Sequence, residues 1–175
     1  PSFVEQAYIG QHNQWNNLFQ NIESSQLTGN VHYRSKVVTV SPGVRFTRLR
    51  NYIFFQHNAD PDTVQLISPV QSSGNQVIFA PQLNFSVTFF RHVTFSNQVV
   101  YTSLLENADN AMRVPELFVN SQLSYANIHF NGNLDMHAGV DVHWHSPYFA
   151  QAYDPVMRQF YNQDIFEVSA FPVVD

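Results

Sequence analysis

The chain contains no cysteine, little charge and no long apolar run, and each shortage excludes a class of protein. The lack of cysteine excludes disulfide-stapled and zinc-finger scaffolds. Charged residues make up 12% of the 175 residues, about half of the share that is usual in a soluble globular domain. No run of about 18 apolar residues occurs, which excludes a transmembrane helix but not a transmembrane β-strand.

Basic residues and glycines are also few. Lys and Arg together number 8 and the formal net charge is -5, so we expect no basic surface for nucleic acid. With 6 Gly, the sequence has no glycine-rich phosphate loop, and it has no Gly-x-Ser-x-Gly nucleophile motif. The glutamates are dispersed and suggest no glycosidase pair. We therefore expect no enzymatic activity and no cofactor.

Aromatic and uncharged polar residues take the place of the missing charge. Aromatics reach 15%, with 16 Phe and 8 Tyr, and most of the polarity comes from Asn, Gln, Ser, Thr and His. This composition is typical of a protein that meets lipid on one side and water on the other. It also fits a soluble β-sandwich with an unusually uncharged surface, and composition does not separate the two.

The strongest pattern along the chain is an alternation of apolar and polar residues with a period of two, which predicts strands with two unlike faces. One segment, Gln76 to Phe90, exceeds the five or six residues of an ordinary strand, whereas a strand that crosses a bilayer needs about 9–11. A second, Leu134 to His145, alternates without an error. Further strands are predicted where the alternation is weaker, at Leu27–Tyr33, Val40–Phe46, Val93–Tyr101 and Leu117–Tyr125. A further short strand is predicted at Tyr52–Gln56.

Turn residues separate these segments. Ser72-Ser73-Gly74-Asn75 and Asn131-Gly132-Asn133 predict tight turns, because Gly and Asn tolerate a positive φ. Arg91-His92 divides two strands, and the polar stretches His57–Ser68 and Glu106–Pro115 predict longer loops. The sequence therefore predicts an all-β, antiparallel up-and-down meander of up to eight strands, with residues 1–175 as a single unit.

The alternation does not say which face of the strands meets water. A soluble antiparallel sheet packs its apolar face inward, whereas a membrane barrel turns that face to lipid and its polar face to the lumen. A soluble polar face usually carries abundant Lys and Glu, which are scarce in these strands. Aromatic residues also gather near strand ends, as in an interfacial girdle: Trp144, Tyr148, Phe149 and Tyr153.

These features favour part of a transmembrane β-barrel, and they assign a face to individual residues. The predicted pore-lining residues are polar and share one parity in their strands: Arg45, Asn84, Ser86, Thr88, Asp135, His137, Asp141, His143 and His145. The predicted lipid-facing residues are apolar and occupy the other parity: Leu83, Phe85, Val87, Phe89, Leu134, Met136, Val140, Val142 and Trp144.

Several segments resemble the putative porins of the Bacteroidota outer membrane, a family of large β-barrels. The resembling stretches are His12-Asn13-Gln14-Trp15-Asn16-Asn17-Leu18-Phe19, Gly139-Val140-Asp141-Val142, Ser146-Pro147-Tyr148-Phe149-Ala150, Tyr153-Asp154-Pro155 and Ala170-Phe171-Pro172-Val173-Val174-Asp175. They are loose patterns of aromatic, Asn and Pro residues. The resemblance implies a barrel and a diffusion channel, and a full protein of which this chain is a fragment from the C-terminal side. It carries no active site.

Alternatives remain open for three features. His143 and His145 lie about 7 Å apart on one strand face and could share a metal ion in a cupin-like enzyme, but the acidic ligand expected shortly after them is missing. Arg45, Arg48 and Arg50 form the one local basic cluster, either as loop-proximal solvated side chains or, for Arg45, in a pore that favours anions. Trp15 among asparagines could stack a sugar, although an interfacial anchor is favoured.

The sequence thus predicts a bacterial outer-membrane β-barrel that passes small polar solutes by passive diffusion or serves as a barrel subunit of an envelope complex. Its expected partners are the lipid bilayer and other envelope proteins, without nucleic acid or a bound metal. The alternatives are a soluble β-sandwich or jelly roll that binds carbohydrate or protein, and the cupin-like metal enzyme.

Overall fold

The computed structural model of the chain describes residues 1–10, 13–57 and 67–175, and these residues are dominated by one large antiparallel sheet. Nine strands form this sheet: β3 (Glu23–Asn30), β4 (Tyr33–Arg34), β5 (Val38–Arg50), β8 (Gln76–Phe89), β9 (Val93–Tyr101), β10 (Ser103–Asn107), β11 (Leu117–His129), β12 (Leu134–His145) and β15 (Val173–Val174). Three two-stranded sheets accompany it: β1 (Ala7–Ile9) with β2 (Gln14–Asn16), β6 (Ile53–His57) with β7 (Ile67–Gln71), and β13 (Ala152–Asp154) with β14 (Gln159–Tyr161).

The neighbours in the large sheet follow the order of the chain. The path runs β3, β5, β8, β9, β11, β12 and β15, with β4 paired to β5 and β10 paired to β8. All these pairings are antiparallel. The all-β, up-and-down meander predicted from the sequence is therefore confirmed.

In the large sheet, three of the predicted strands have the predicted bounds to within one residue. β9 and β12 match the predicted segments at both ends, and β8 ends one residue earlier than predicted, at Phe89. The predicted strand at Tyr52–Gln56 exists as β6, but it pairs with β7 outside the large sheet. The sequence identified this short strand without indicating its partner, because the local residues of a strand carry no information about which strand lies beside it.

Short hairpins join the strands at one end of the large sheet, which we call the turn end. Phe90 and Arg91 have φ values of 48° and 65°, and Phe130 and Asn131 have 53° and 55°. Two successive positive φ angles match the right-handed twist of the flanking strands. They explain how Phe90 and Arg91, without a glycine, turn the chain between β8 and β9.

Long connections lie at the opposite end of the sheet, which we call the loop end. They are residues 1–22, 51–75, 108–116 and 146–172, as far as the structure describes them. The predicted loop at His57–Ser68 falls largely on residues 58–66, outside the described part of the chain, while its first and last residues belong to β6 and β7. The predicted loop at Glu106–Pro115 includes the end of β10 and a 3₁₀ turn at Ala108–Asn110.

The main hydrophobic core lies among these long connections and not on the sheet. Trp15, Phe55, Ile67 and Met157 pack together, and the indole of Trp15 stacks on Tyr8 with 4.9 Å between ring centroids. The indole N–H donates to the carbonyl of Val4 at 2.9 Å. Trp15 is therefore buried inside the loop end, and the predictions of an interfacial anchor or a sugar platform were wrong.

A short helix, α1 (Phe3–Gln6), begins the loop-end assembly with a capping box, in which Ser2 and Glu5 satisfy each other's backbone N–H. None of the helical segments in the described residues is long and apolar enough to cross a membrane.

A carboxylate holds the turn before β8 in place. The N–H of Ser73 donates to Oδ2 of Asp109 at 2.7 Å, and the hydroxyls of Ser73 and Ser72 donate to the same oxygen at 3.0 Å each. The backbone N–H of Ser73, followed by the two hydroxyls, lowers the pKa of Asp109 below its ordinary value. A lowered pKa means that this stabilisation is present above the ordinary pKa of an aspartate and is lost as the pH falls through the folded-state pKa.

We predict that Asp109→Asn loosens this turn, because a neutral amide accepts these hydrogen bonds more weakly than a carboxylate. The backbone amide of Ser73 should exchange with solvent roughly fivefold faster in the variant, which corresponds to about 1 kcal/mol. The measurement is hydrogen exchange by mass spectrometry on the full-length protein at neutral pH. Asp154→Asn is the control, since its carboxylate accepts from Val156 and Met157, and exchange at Ser73 should not change in it.

Candidate functional site on the polar face of the sheet

The register of the large sheet places the predicted site residues on two opposite faces. Residues directly opposite each other in an antiparallel pair point to the same face, so the pairs connect one face from strand to strand. All of the predicted pore-lining residues share the face we call the polar face, and all of the predicted lipid-facing residues share the other, the apolar face. The register alone does not show that the polar face lines a lumen or that the apolar face meets lipid, and both assignments stay predictions.

Two rows of polar side chains cross five strands on the polar face. One row is Ser41, Asn84, Gln98, Asn120 and His143, and the next is Thr39, Ser86, Ser96, Gln122 and Asp141. Uncharged amides and hydroxyls therefore cover the middle of this face, with a histidine and a carboxylate at the β12 end of the rows.

Hydroxyl groups on neighbouring strands bond to one another on this face. The hydroxyl of Ser96 donates to that of Ser86 at 3.1 Å, and the hydroxyls of Thr88 and Thr94 lie 3.2 Å apart. Each of these pairs is also a direct cross-strand pair. Cross-strand Ser and Thr bonds of this kind stabilise the pairing modestly and hold the polar wall in a defined arrangement.

The polar face is concave. A cavity of about 320 Å³ is lined mostly by the residues of the two rows, from Thr39 and Ser41 on β5 to Asp141 on β12. Neighbouring strands lie about 4.8 Å apart, so the outermost of these five strands would be about 19 Å apart on a flat sheet. One cavity that touches all five strands indicates that the sheet curves around its polar side.

The apolar face is the convex side, and it is exposed. Phe79, Leu83 and Val140 expose 37%, 38% and 47% of their surface. The chain exposes 11969 Å² in total, whereas a compact monomer of 20.1 kDa exposes about 8,700 Å². Within the described residues, no second layer of structure buries this face as a β-sandwich would require.

One polar pair interrupts the middle of the apolar face. Asn97 of β9 lies directly opposite Ser121 of β11, and its amide donates to the hydroxyl of Ser121. A polar group in an apolar environment costs free energy unless it is hydrogen-bonded, so the two side chains satisfy each other where no other polar neighbour is available.

The charged residues of the polar face are separated across the sheet. Arg45 lies on β5, opposite Thr28 and Ala80, whereas the carboxylates lie on or beside β12. Asp135 contacts His137 at 3.0 Å, and Asp175 lies 3.9 Å from His143. The concave side therefore has the basic groups of Arg34 and Arg45 at one end of its row of strands and acidic groups at the other.

The histidine pair on β12 does not gather a metal site. His143 faces Asp175, while His145 lies 2.9 Å from the carbonyl of Ser146 and packs edge-on against Tyr148. Among the described residues, no three His, Asp or Glu side chains are grouped closely enough to hold a metal ion. The cupin-like alternative therefore has no ligand set in this part of the chain.

Sequence reasoning missed part of the polar wall. It named Asn84, Ser86, Asp141 and His143 but not the other six residues of the two rows, which are Thr39, Ser41, Ser96, Gln98, Asn120 and Gln122. Five of these residues have the polar parity of strands that the sequence did predict, and Thr39 lies one residue before the predicted strand Val40–Phe46. Val100 of β9 and Phe118 of β11 are apolar residues at positions of polar parity, and they interrupt the alternation near the loop end. If every second residue of these strands had been assigned to the polar face despite them, the missing residues would have been identified.

A family model described as "Putative porin" matches residues 1–175. A comparison with curated proteins finds no match. Among solved structures, a chain described as "Copper transporter OprC" is similar, with a TM-score of 0.62, 14% sequence identity and alignment over 87% of this chain. The chain spans 22% of the length of that transporter, and at this identity the likeness concerns the fold alone.

We predict that Ser121→Ala destabilises the full-length protein, because it leaves the Asn97 amide without its partner on the apolar face. The expected loss is about 1–3 kcal/mol in the free energy of unfolding, measured by urea titration of the protein folded into lipid vesicles. The double variant Asn97→Val/Ser121→Val removes both polar groups and should recover most of that loss.

Ser86→Ala is the matched control, since it removes one hydroxyl from the polar face, where water can replace the bond to Ser96. It should change the stability by less than about 0.5 kcal/mol. A double variant that is no more stable than Ser121→Ala would contradict the prediction.

Proposed function

The chain belongs to the putative porin family, and on that premise we propose that it is a section of an outer-membrane β-barrel through which small polar solutes diffuse passively. The lumen would be filled with water, and its width and wall side chains would set which solutes pass, with no chemical step. By the resemblance of its sequence motifs, the membrane would be the outer membrane of a Bacteroidota bacterium.

The curvature of the sheet carries this proposal. A sheet that closes into a barrel has its concave side as the lumen, and the concave side here bears the rows of Asn, Gln, Ser and Thr. The convex side bears exposed Phe, Leu and Val side chains. Lipid on the convex side and water on the concave side satisfy both surfaces, whereas a soluble protein would leave the apolar side in water.

The height of the apolar face fits a bilayer. On β8, the apolar face reads Phe79, Pro81, Leu83, Phe85, Val87 and Phe89 without a polar residue. From Phe79 to Phe89 the strand extends about 34 Å, which at the usual barrel tilt is about 26 Å along the barrel axis. Outer-membrane barrels have an apolar band about 25 Å tall, so β8 is long enough to cross it.

The arrangement of the connections suggests an orientation. Outer-membrane barrels have short turns on the periplasmic side and long loops outside. The turn end, with its hairpins at Phe90–Arg91 and Phe130–Gly132, would therefore face the periplasm. The packed loop end around Trp15 would lie outside the cell and partly cover the mouth of the lumen.

The described strands leave both edges of the large sheet open. The outer edge of β3 has no partner, and β12 pairs with β15 at Val142 and His143 alone. Lipid offers no hydrogen bonds to an open edge, so a functional barrel must continue on both sides. We propose that further strands of the full protein or other envelope subunits supply the closure, and a barrel that serves mainly as a scaffold in such a complex is the second candidate.

The orientation of the faces is tested by placing the same charge on neighbouring residues. Leu83 and Asn84 are adjacent on β8 and point to opposite faces. Leu83→Arg should cost about 2–4 kcal/mol for an arginine near the bilayer midplane, whereas Asn84→Arg should cost far less because it meets water. The measurement is urea titration of the full-length protein folded into vesicles, and an equal cost at the two positions would contradict the proposed orientation.

Passive diffusion is tested by the conductance of the full-length protein in planar bilayers. Arg45→Glu reverses a charge on the polar face and should lower the permeability of anions relative to cations roughly twofold or more. Arg48→Glu makes the same change on the opposite face of the same strand and should leave the ratio unchanged. The absence of any conductance from protein that has folded into the bilayer would favour the scaffold role.

A further inference from the structure

A small charged patch lies on the apolar face at the loop end, and the proposed diffusion function leaves it without a role. Arg48 and Arg50 of β5 share this face with Glu23 and Ser25 of β3. These four residues line a groove of about 180 Å³, which we call the arginine groove.

The position of the arginine groove is defined by the apolar residues next to it. Phe46 of β5 lies opposite Leu27 and Phe79, and these three side chains form the last apolar row of the face on strands β3, β5 and β8. Arg48 occupies the next position on the same face of β5, between Ser25 of β3 and the buried Val77 of β8. On β3 and β5, the groove therefore begins where the apolar band ends.

These arginines are unusual in their placement. The chain has 8 Lys and Arg residues, and among the described strands of the large sheet Arg48 and Arg50 are the basic residues on the apolar face, while Arg34 and Arg45 lie on the polar face. A face that is otherwise apolar over the length of β5 ends in two guanidinium groups about 7 Å apart along the strand.

The charge of the groove is not neutralised within the described residues. Nη1 of Arg50 lies 3.7 Å from Oε2 of Glu23, and these side chains are 52% and 66% exposed, so the pair is weak. Arg48 makes no ion pair in the described part of the chain. Two positive groups and one negative group leave the groove with a net positive charge.

We propose that the arginine groove binds the phosphate groups of anionic lipids in the membrane leaflet at the loop end of the barrel. A guanidinium donates two parallel hydrogen bonds to a phosphate. Long arginine side chains at the edge of a hydrophobic band also extend toward the headgroup level. This inference rests on the proposed function, because it requires the apolar face to meet lipid.

A lipid fits the groove better than a free anion, because its phosphate can contact the arginines while its acyl chains cover the apolar row beside them. Acyl chains that cover Leu27, Phe46 and Phe79 place their headgroups at the height of Arg48 and Arg50. Free phosphate would meet the same guanidinium groups but gain nothing from the apolar row. The two sources therefore differ in how strongly each one stabilises the protein.

The test uses lipid A as a probe, with the full-length protein purified in detergent and bound lipid counted by native mass spectrometry. The Arg48→Gln/Arg50→Gln variant should retain at least fivefold less lipid A than the wild type. Arg45→Gln removes the same charge from the opposite face of β5 and should retain as much as the wild type. A lipid A analogue without phosphates should bind the wild type and the double variant equally.

The outcomes separate this inference from the function it rests on. Unchanged lipid A binding in the double variant overturns the inference, and so does inorganic phosphate that competes with lipid A at millimolar concentration. A loss confined to Arg45→Gln would show that the polar face meets lipid, which overturns the proposed orientation of the barrel as well.

Discussion

The pairing of backbone N–H and C=O groups between neighbouring strands is the constraint on which the rest of this structure depends. In lipid no water is available to satisfy these groups, so each strand must be bonded along its length to its neighbours. The long ladders between β5 and β8 and between β11 and β12 set one register for the whole sheet. Because side chains alternate with a period of two, a strand that pairs one residue out of register exchanges its two faces. Apolar side chains such as Phe85 or Val140 would then lie on the polar face, with Asn84 or Asp141 on the apolar face. The separation of polar and apolar side chains is thus a property of the register.

The molecule combines two kinds of packing. Within the described residues, no second layer covers the apolar face of the large sheet, and side chains such as Phe79, Leu83 and Val140 stay exposed on it. The loop end packs in the ordinary way, with Trp15, Phe55, Ile67 and Met157 buried against one another and with the Asp109 carboxylate fixing the turn at Ser72 and Ser73. In the proposed barrel, this packed assembly would lie at the mouth of the lumen and shape its entrance, and the rows of mostly uncharged polar side chains would form the wall.

Sequence reasoning succeeded where the physical signal is local. The alternation at Leu134–His145 and Val93–Tyr101 predicted both strands with their bounds, because each residue reports its own face directly. It failed at Trp15, since the partners of this side chain, Tyr8, Val4 and Phe55, include residues far away in the chain that no local pattern indicates. It left the role of Arg48 and Arg50 ambiguous for a related reason. The parity of β5 places them on the face opposite Arg45, but their position relative to the apolar band depends on the register with β3 and β8.

The sequence by itself determined that the chain is all-β, that its strands have two unlike faces and to which face the residues of its clearest strands belong. These are local properties, set by a side-chain period that every strand repeats. Only the tertiary structure decided that the polar face is concave, that the polar residues of five strands meet in one cavity and that the long connections pack together at one end. Curvature and cross-strand neighbours arise from hydrogen bonds between different strands, and no single segment carries that information. The alternation thus assigned residues to two faces, and the bending of the sheet distinguished an inner face from an outer one.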